Sequence, residues 1–275
     1  MRKEAMSLNQ EKPHSMTQVI VTRPEQDATS WMTQLREGGL ETISLPLLTL
    51  SDLMSSEDAA KASQMALKSQ ALMFVSANAV RFFAAALAHQ PHWLDHVKRN
   101  ARVWCTGPGT AAALNAQGIP AYQIDQPAAS ATQLDSEALW EVVSTQVKAG
   151  MHVMFIRGAD ESGAIAGRDW LVQQLENSGA QVQAVAAYQR QAAHLTSVQK
   201  QQVQGLISEG AIWLFSSSAS IQALASECPH IDWLQGKAVV THPRMAVFAE
   251  KLGWRQISIA PPGVGSLLAS IKSLE

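Results

Sequence analysis

Short apolar runs alternate with amphipathic stretches along the whole chain. This is the pattern of parallel α/β layers, in which strands covered on both faces read as continuous hydrophobic runs. The predicted strands are QVIVT (18–22), TISLPL (42–47), ALMFVS (71–76), RVWCT (102–106), AYQI (121–124), HVMFI (152–156), QVQAVAA (181–187), AIWLFS (211–216), KAVVT (237–241) and QISIA (256–260). Helices are expected in most of the gaps, among them DATSWMTQLREGG, ANAVRFFAAALAH, GRDWLVQQLENSG and PRMAVFAEKLG. Each of these except ANAVRFFAAALAH ends on glycine, which takes up the left-handed C-cap conformation without steric cost.

The chain runs through one plan twice. QVIVTRPEQDATSWMTQLREGGLETISLPL parallels HVMFIRGADESGAIAGRDWLVQQLENSGAQVQAVAAY; ALMFVSANAVRFFAAAL parallels AIWLFSSSASIQALASE; RVWCTGPGTAAALNAQGIPAY parallels KAVVTHPRMAVFAEKLGWRQI. The offsets are 134 from Gln18 to His152, 140 from Ala71 to Ala211 and 135 from Arg102 to Lys237. Three blocks in the same order at similar spacing predict two similar α/β domains rather than a solenoid.

In both halves the strand ends carry the same kinds of residue: Thr22-Arg23-Pro24, Ser76-Ala77-Asn78, Thr106-Gly107-Pro108, Arg157-Gly158, Ser216-Ser217-Ser218 and Thr241-His242-Pro243. Ligands bind at the carboxyl edges of open parallel sheets, and the free amides of the helices that follow favour anions. Each Ser, Thr or Asn taken singly reads equally as a helix cap. Taken together, six such segments facing two sheet edges predict a cleft for a polyanion. Arg157 is the expected carboxylate partner, because its fork matches a carboxylate and it directly follows a strand. Arg23 holds the equivalent place in the first repeat, and Arg244 opens a helix. Arg81 and Arg168 read instead as surface salt-bridge residues.

The totals narrow the classes. At 275 residues two domains are the natural division, and 47% apolar against 16% charged residues supports sizeable cores. A net charge of −2 argues against a nucleic-acid binder. No apolar run has the ~20 residues of a membrane span. The leader, residues 1–16, has no apolar signal core and is expected to be disordered, so the chain reads as cytoplasmic. Cys105 and Cys228 read as reduced packing residues.

Chemical signatures are sparse. There is no GxxxxGK[ST] loop, and CTGPGTAAAL lacks the third glycine and the acidic partner of a dinucleotide site. His89, His92 and His96 are interrupted by Pro91 and read as a loop, leaving no credible metal site. No GxSxG elbow precedes a helix. An enzyme of this sequence is expected to work without metal, nucleotide cofactor or covalent nucleophile.

The ordered series VTRPEQDATSWMTQLREGGLETISLPLL, FVSANAV, GPGTAAALNAQGI, FIRG…LVQQLENSGAQV…AAYQR and FSSSAS resembles uroporphyrinogen-III synthase from Gln18 to about Ile259. The resemblance implies two flavodoxin-like parallel-sheet α/β domains joined by a two-stranded antiparallel β linker, with crossings near 44–50 and 186–191. The first domain would be discontinuous, 17–47 plus 190–275, and the second would span 50–187. The implied reaction is cofactor-free closure of the eight-carboxylate linear tetrapyrrole hydroxymethylbilane to uroporphyrinogen III, with inversion of ring D and loss of water. It would act as a monomer that takes substrate by transient hand-over from hydroxymethylbilane synthase, with no nucleic-acid or membrane partner. The resemblance makes Tyr188 of AAYQR the catalytic candidate, against a plain packing role at the hinge. It places Thr110 at the cleft and matches Ser217 and Ser218 to a serine cluster, which with Arg23, Ser76, Asn78, Arg157, Gly158 and Arg244 complete the expected substrate-binding set. VTHPRMAVF departs from the family pattern of a glycine and paired threonines, and Arg244 is expected to serve as the anion ligand there. The rivals are a non-catalytic two-domain anion- or sugar-binding protein and a sugar-nucleotide transferase.

Overall fold

Two twisted sheets divide the chain, and their strand orders explain the repeat. The computed structural model describes residues 17–275 except 91, 129, 130, 132, 166–168 and 261–263. The expected leader 1–16 and Arg168 lie outside the described residues. The first lobe carries β1 (Gln18–Val21), β2 (Glu41–Ser44), β9 (Ile212–Phe215), β10 (Lys237–Val240) and β11 (Gln256–Ile259) in the order β11-β10-β9-β1-β2, all parallel. Around it run helices α1 (Glu25–Glu37), α8 (Ser197–Ser208), α9 (Ser218–Glu227), α10 (Pro243–Lys251) and α11 (Val264–Lys272).

The second lobe carries β3 (Leu48–Asp52), β4 (Ala71–Phe74), β5 (Arg102–Cys105), β6 (Ile124–Asp125), β7 (His152–Ala159) and β8 (Gln181–Ala192) in the order β3-β8-β7-β4-β5-β6. Its helices are α2 (Ser56–Lys68), α3 (Ala77–Ala86), α4 (His92–Asn100), α5 (Pro108–Ala116), α6 (Ser136–Val143) and α7 (Trp170–Asn177). Matching β7 to β1, β8 to β2 and β4 to β9, the repeat gives both sheets the flavodoxin order 2-1-3-4-5. The two halves are therefore the same topology, entered at different points of the chain.

Each central strand is buried on both faces. In β9, Trp213 and Phe215 pack into one core while Ile212 and Leu214 pack into the opposite one. In β7, Met154 and Ile156 face one layer, Val153 and Phe155 the other. Period-2 alternation between two buried faces leaves no polar position, which is why these strands read as unbroken apolar runs. Trp213, Trp233, Trp254 and Phe215 form one aromatic cluster in the first lobe, with Trp233 stacked on Trp254 at 5.2 Å.

Between the lobes β3 runs antiparallel to the far end of β8, pairing Leu48 with Ala192 through to Asp52 with Tyr188. The single strand expected over 42–47 is not formed. β2 stops at Ser44 and the chain resumes as β3 at Leu48, because Pro46 offers no amide for a ladder bond. Residues 121–123 form a single 3₁₀ turn after Pro120, and only Ile124 and Asp125 join the sheet. His92 and His96, expected in a loop, lie on α4, which starts directly after Pro91. Among the described residues no group of metal-ligating side chains forms, and no helix is long and apolar enough to cross a membrane.

Candidate functional site

The carboxyl ends of strands from both sheets face one cleft of about 700 Å³, within the range of about 300–1,000 Å³ typical of ligand sites. Arg23 follows β1, Ser216 follows β9 and Thr241-His242 follow β10 on one wall. Val75-Ser76 after β4 and Thr106 to Thr110 after β5 form the other. Parallel strands all end on the same edge, so two such sheets joined by antiparallel strands can bring both helix-opening edges to one gap.

Several helix starts reach this gap. α5 begins at Gly107 with Pro108 as its first residue and no side-chain cap, so its leading amides are not taken by a hydroxyl. A Cβ on Gly109 would meet nothing within 4 Å. Thr110 and Ala111 donate their amides to Gly107 O, so the helix presents the Gly109 amide and a positive dipole end to the cleft. Thr110, largely buried, lines the same wall. α3 is capped by Ser76, whose Oγ accepts from the Ala79 amide at 3.1 Å.

Behind Ser76 stands Tyr188. Its side chain is 4% exposed, its ring stacks on Phe82 at 5.2 Å, and its hydroxyl lies 3.3 Å from the Ser76 Oγ. β7 and β8 pair in parallel with a register shift between Arg157 and Gly158, and that bulge sets Gly158 directly opposite Tyr188. A Cβ on Gly158 would sit 2.6 Å from Tyr188 Cζ, so only glycine lets the phenol reach its place.

Other expected ligands are arranged differently. Arg157 is not a free strand-end cation: it is inside β7, 4% exposed, donating to Asp169 Oδ1 at 3.0 Å with its guanidinium over the Phe155 ring. The apolar pattern stopped at Ile156, whereas the ladder continues through Ala159 because backbone pairing is indifferent to the side chain. Gly158 packs against Tyr188 rather than lining the cleft. Asn78 donates to Asp27 Oδ2 at 2.8 Å, off the cleft wall. Ser217 caps α9, accepting from the Ser220 amide at 3.1 Å, and Ser218 is exposed in its first turn; the neighbouring Ser216 lines the cleft. Arg244 is exposed and folded back on His242, to whose Nδ1 its backbone amide donates at 3.1 Å, and it is His242 that faces the gap.

Sequence reasoning also missed the α1 face of Ser30, Trp31 and Gln34 and the loop residues Gln133 and Leu134. Trp31, on α1, packs against the residue just before that helix: the Arg23 guanidinium lies 4.4 Å above its ring. Burial lowers the Arg23 pKa, opposed by nearby Asp27 and reinforced by Arg81.

Cys105, at the end of β5 beside Thr106, is free and buried, and burial pushes its thiol up to about 11. At pH 7.5 its thiolate fraction is then roughly 10⁻³ or less, so iodoacetamide should label it far more slowly in the native protein than in urea. Rapid native labelling, read by peptide mass spectrometry, would contradict this packing.

Known proteins share this fold. The family profile described as uroporphyrinogen-III synthase HemD matches residues 29–269. The uroporphyrinogen-III synthase of Salmonella typhimurium is 27% identical over 256 residues, which cover 88% of this chain and 94% of that protein. Among solved structures, a uroporphyrinogen-III synthetase from Helicobacter pylori superposes with a TM-score of 0.61 at 15% identity, covering 94% of this chain and 100% of that one. A mutant uroporphyrinogen III synthase from Thermus thermophilus gives 0.59 at 12% identity, covering 94% and 98%. A match through both lobes, to proteins with the same fold, settles the kinship: the chain belongs to the uroporphyrinogen-III synthase family, lyases of tetrapyrrole biosynthesis.

Proposed function

We propose that the cleft binds hydroxymethylbilane and closes it to uroporphyrinogen III, with Tyr188 as general acid. The observation supporting this reading is the convergence of helix-opening strand ends from both sheets on one gap, with a buried phenol directly behind its wall. Helix amides and dipoles hold carboxylates by hydrogen bonds without a large basic patch, which suits a guest of many acids and a chain of net charge −2. Arg23, Ser76 and Thr110 contribute from the cleft wall. Asn78, Arg157, Gly158, Ser217, Ser218 and Arg244 serve this site at one remove, by positioning the groups that line it.

The ring A hydroxyl must leave as water. Ser76 Oγ takes the Ala79 amide hydrogen, so its own hydrogen can point to the Tyr188 oxygen and turn the phenolic proton outward. The phenol supports departure of the hydroxyl as an azafulvene cation develops, worth about 10²–10⁴-fold. Closure onto ring D releases a proton that returns to the phenolate, so no acid is consumed. Holding rings A and D together supplies much of the remaining barrier reduction through orientation.

In this reading the chain acts as a monomer in the cytoplasm and receives substrate from hydroxymethylbilane synthase. Its folding units are 17–47 plus 190–275, and 50–187. The test is product identity. Incubated with enzymatically made hydroxymethylbilane, then oxidised and separated, the products should be dominated by isomer III. Isomer I alone, the product of spontaneous closure, would overturn the reading.

A further inference from the structure

One buried carboxylate joins the two lobes. Asp27 lies in the first turn of α1 in the first lobe, with its side chain 9% exposed. It accepts from Asn78 Nδ2 at 2.8 Å and pairs closely with Arg81, both on α3 of the second lobe. Arg81 also donates to Asn78 Oδ1, so the three side chains form a closed ring of contacts. On its own lobe Asp27 lies 3.8 Å from the Arg23 guanidinium, the cation that lines the cleft. A second ion pair across the lobes, His242 to Asp135, is looser at 3.9 Å and is charged only when the imidazole is protonated.

We propose that Asp27 is a positioning residue for the reaction: it latches the lobes by holding Arg81 and Asn78 across the gap and fixes Arg23 against the cleft, so that closure and placement of the cleft cation are one event. The physical ground is charge balance at a sheltered point. Two guanidiniums flank one carboxylate, and removing that carboxylate leaves like charges facing each other between lobes that are also joined by the β3–β8 ribbon and the looser His242–Asp135 pair. Arg23 and Arg81 are 26% and 40% exposed, so water can solvate them when the carboxylate is gone and each lobe stays folded.

The closure arm of the test is independent of the proposed substrate; the kinetic arm rests on the cleft being the hydroxymethylbilane site. Spin labels at Tyr122→Cys and Val247→Cys report the lobe separation, since both positions are exposed, sit on opposite lobes, and the native Cys105 and Cys228 are buried. In that background Asp27→Ala should lengthen the interlabel distance by at least about 2 Å. Arg81→Gln should do the same, and the double variant should add little to either, as expected for partners in one contact. Asp27→Glu should recover most of the wild-type distance. With a smaller fraction of molecules closed, KM should rise by about tenfold in Asp27→Ala while kcat stays within about twofold. An unchanged distance in Asp27→Ala or, should that variant fail to fold, in Arg81→Gln overturns the latch. Opened lobes with wild-type KM would uphold the latch and overturn the cleft as substrate site.

Discussion

Tyr188→Phe should cut kcat by about 10²-fold or more while lowering Tm by no more than about 2–4 °C. The contrast follows from what the hydroxyl touches. It lies 3.3 Å from Ser76 Oγ, a long contact, and Ser76 keeps its bond from the Ala79 amide when the hydroxyl is removed. The ring keeps its stack on Phe82 and its burial. Stability therefore loses little, whereas the proposed reaction loses its proposed proton donor. Product analysis adds a second readout: slower closure on the protein leaves more hydroxymethylbilane to cyclise in solution, so isomer I should rise. Wild-type turnover in the variant would remove Tyr188 from the chemistry and leave orientation alone.

Gly158→Ala should be damaging in both respects. The new Cβ would lie 2.6 Å from Cζ, 2.8 Å from Cε2 and 3.0 Å from the hydroxyl oxygen of Tyr188. That ring is confined between β7 and Phe82, so it cannot swing away as an exposed side chain would. Overpacking of this kind costs about 1–3 kcal/mol, which lowers Tm by several degrees in a chain of this size. Relief by displacing the phenol separates it from Ser76, so kcat should fall at least as far as in Tyr188→Phe. Gly109→Ala is the stability control, because a Cβ there meets open space, and its Tm should stay near wild type. A Gly158→Ala protein with unchanged Tm and kcat would show that the phenol does not need its present position.

These experiments bear on a site that was legible in part. Arg23 and Ser76 were readable because each follows an apolar run just before a helix, Thr110 only through the family resemblance, and all three line the gap. Arg157 misled because a side chain's type says nothing of whether the ladder ends beneath it; β7 runs on to Ala159 and buries the guanidinium beside Asp169. Arg244 misled for a related reason. It stands in the first turn of α10, yet the cap residue His242 draws it back and takes the place at the wall. Asp27 gave no sign at all, being one of two acids in the first turn of α1, where acids are favoured anyway.

The order of strands and helices, the doubled plan and the parallel character of both lobes' central strands were set by the chain's local pattern, since burial on two faces, caps and turns are encoded within a few residues. Tertiary structure alone decided which strand ends meet across the gap, that a bulge sets Gly158 beneath Tyr188, and that Asp27 reaches Arg81, 54 positions further along the chain. Those contacts depend on how two finished layers dock, and docking is governed by shape and charge on surfaces that no single stretch of sequence contains.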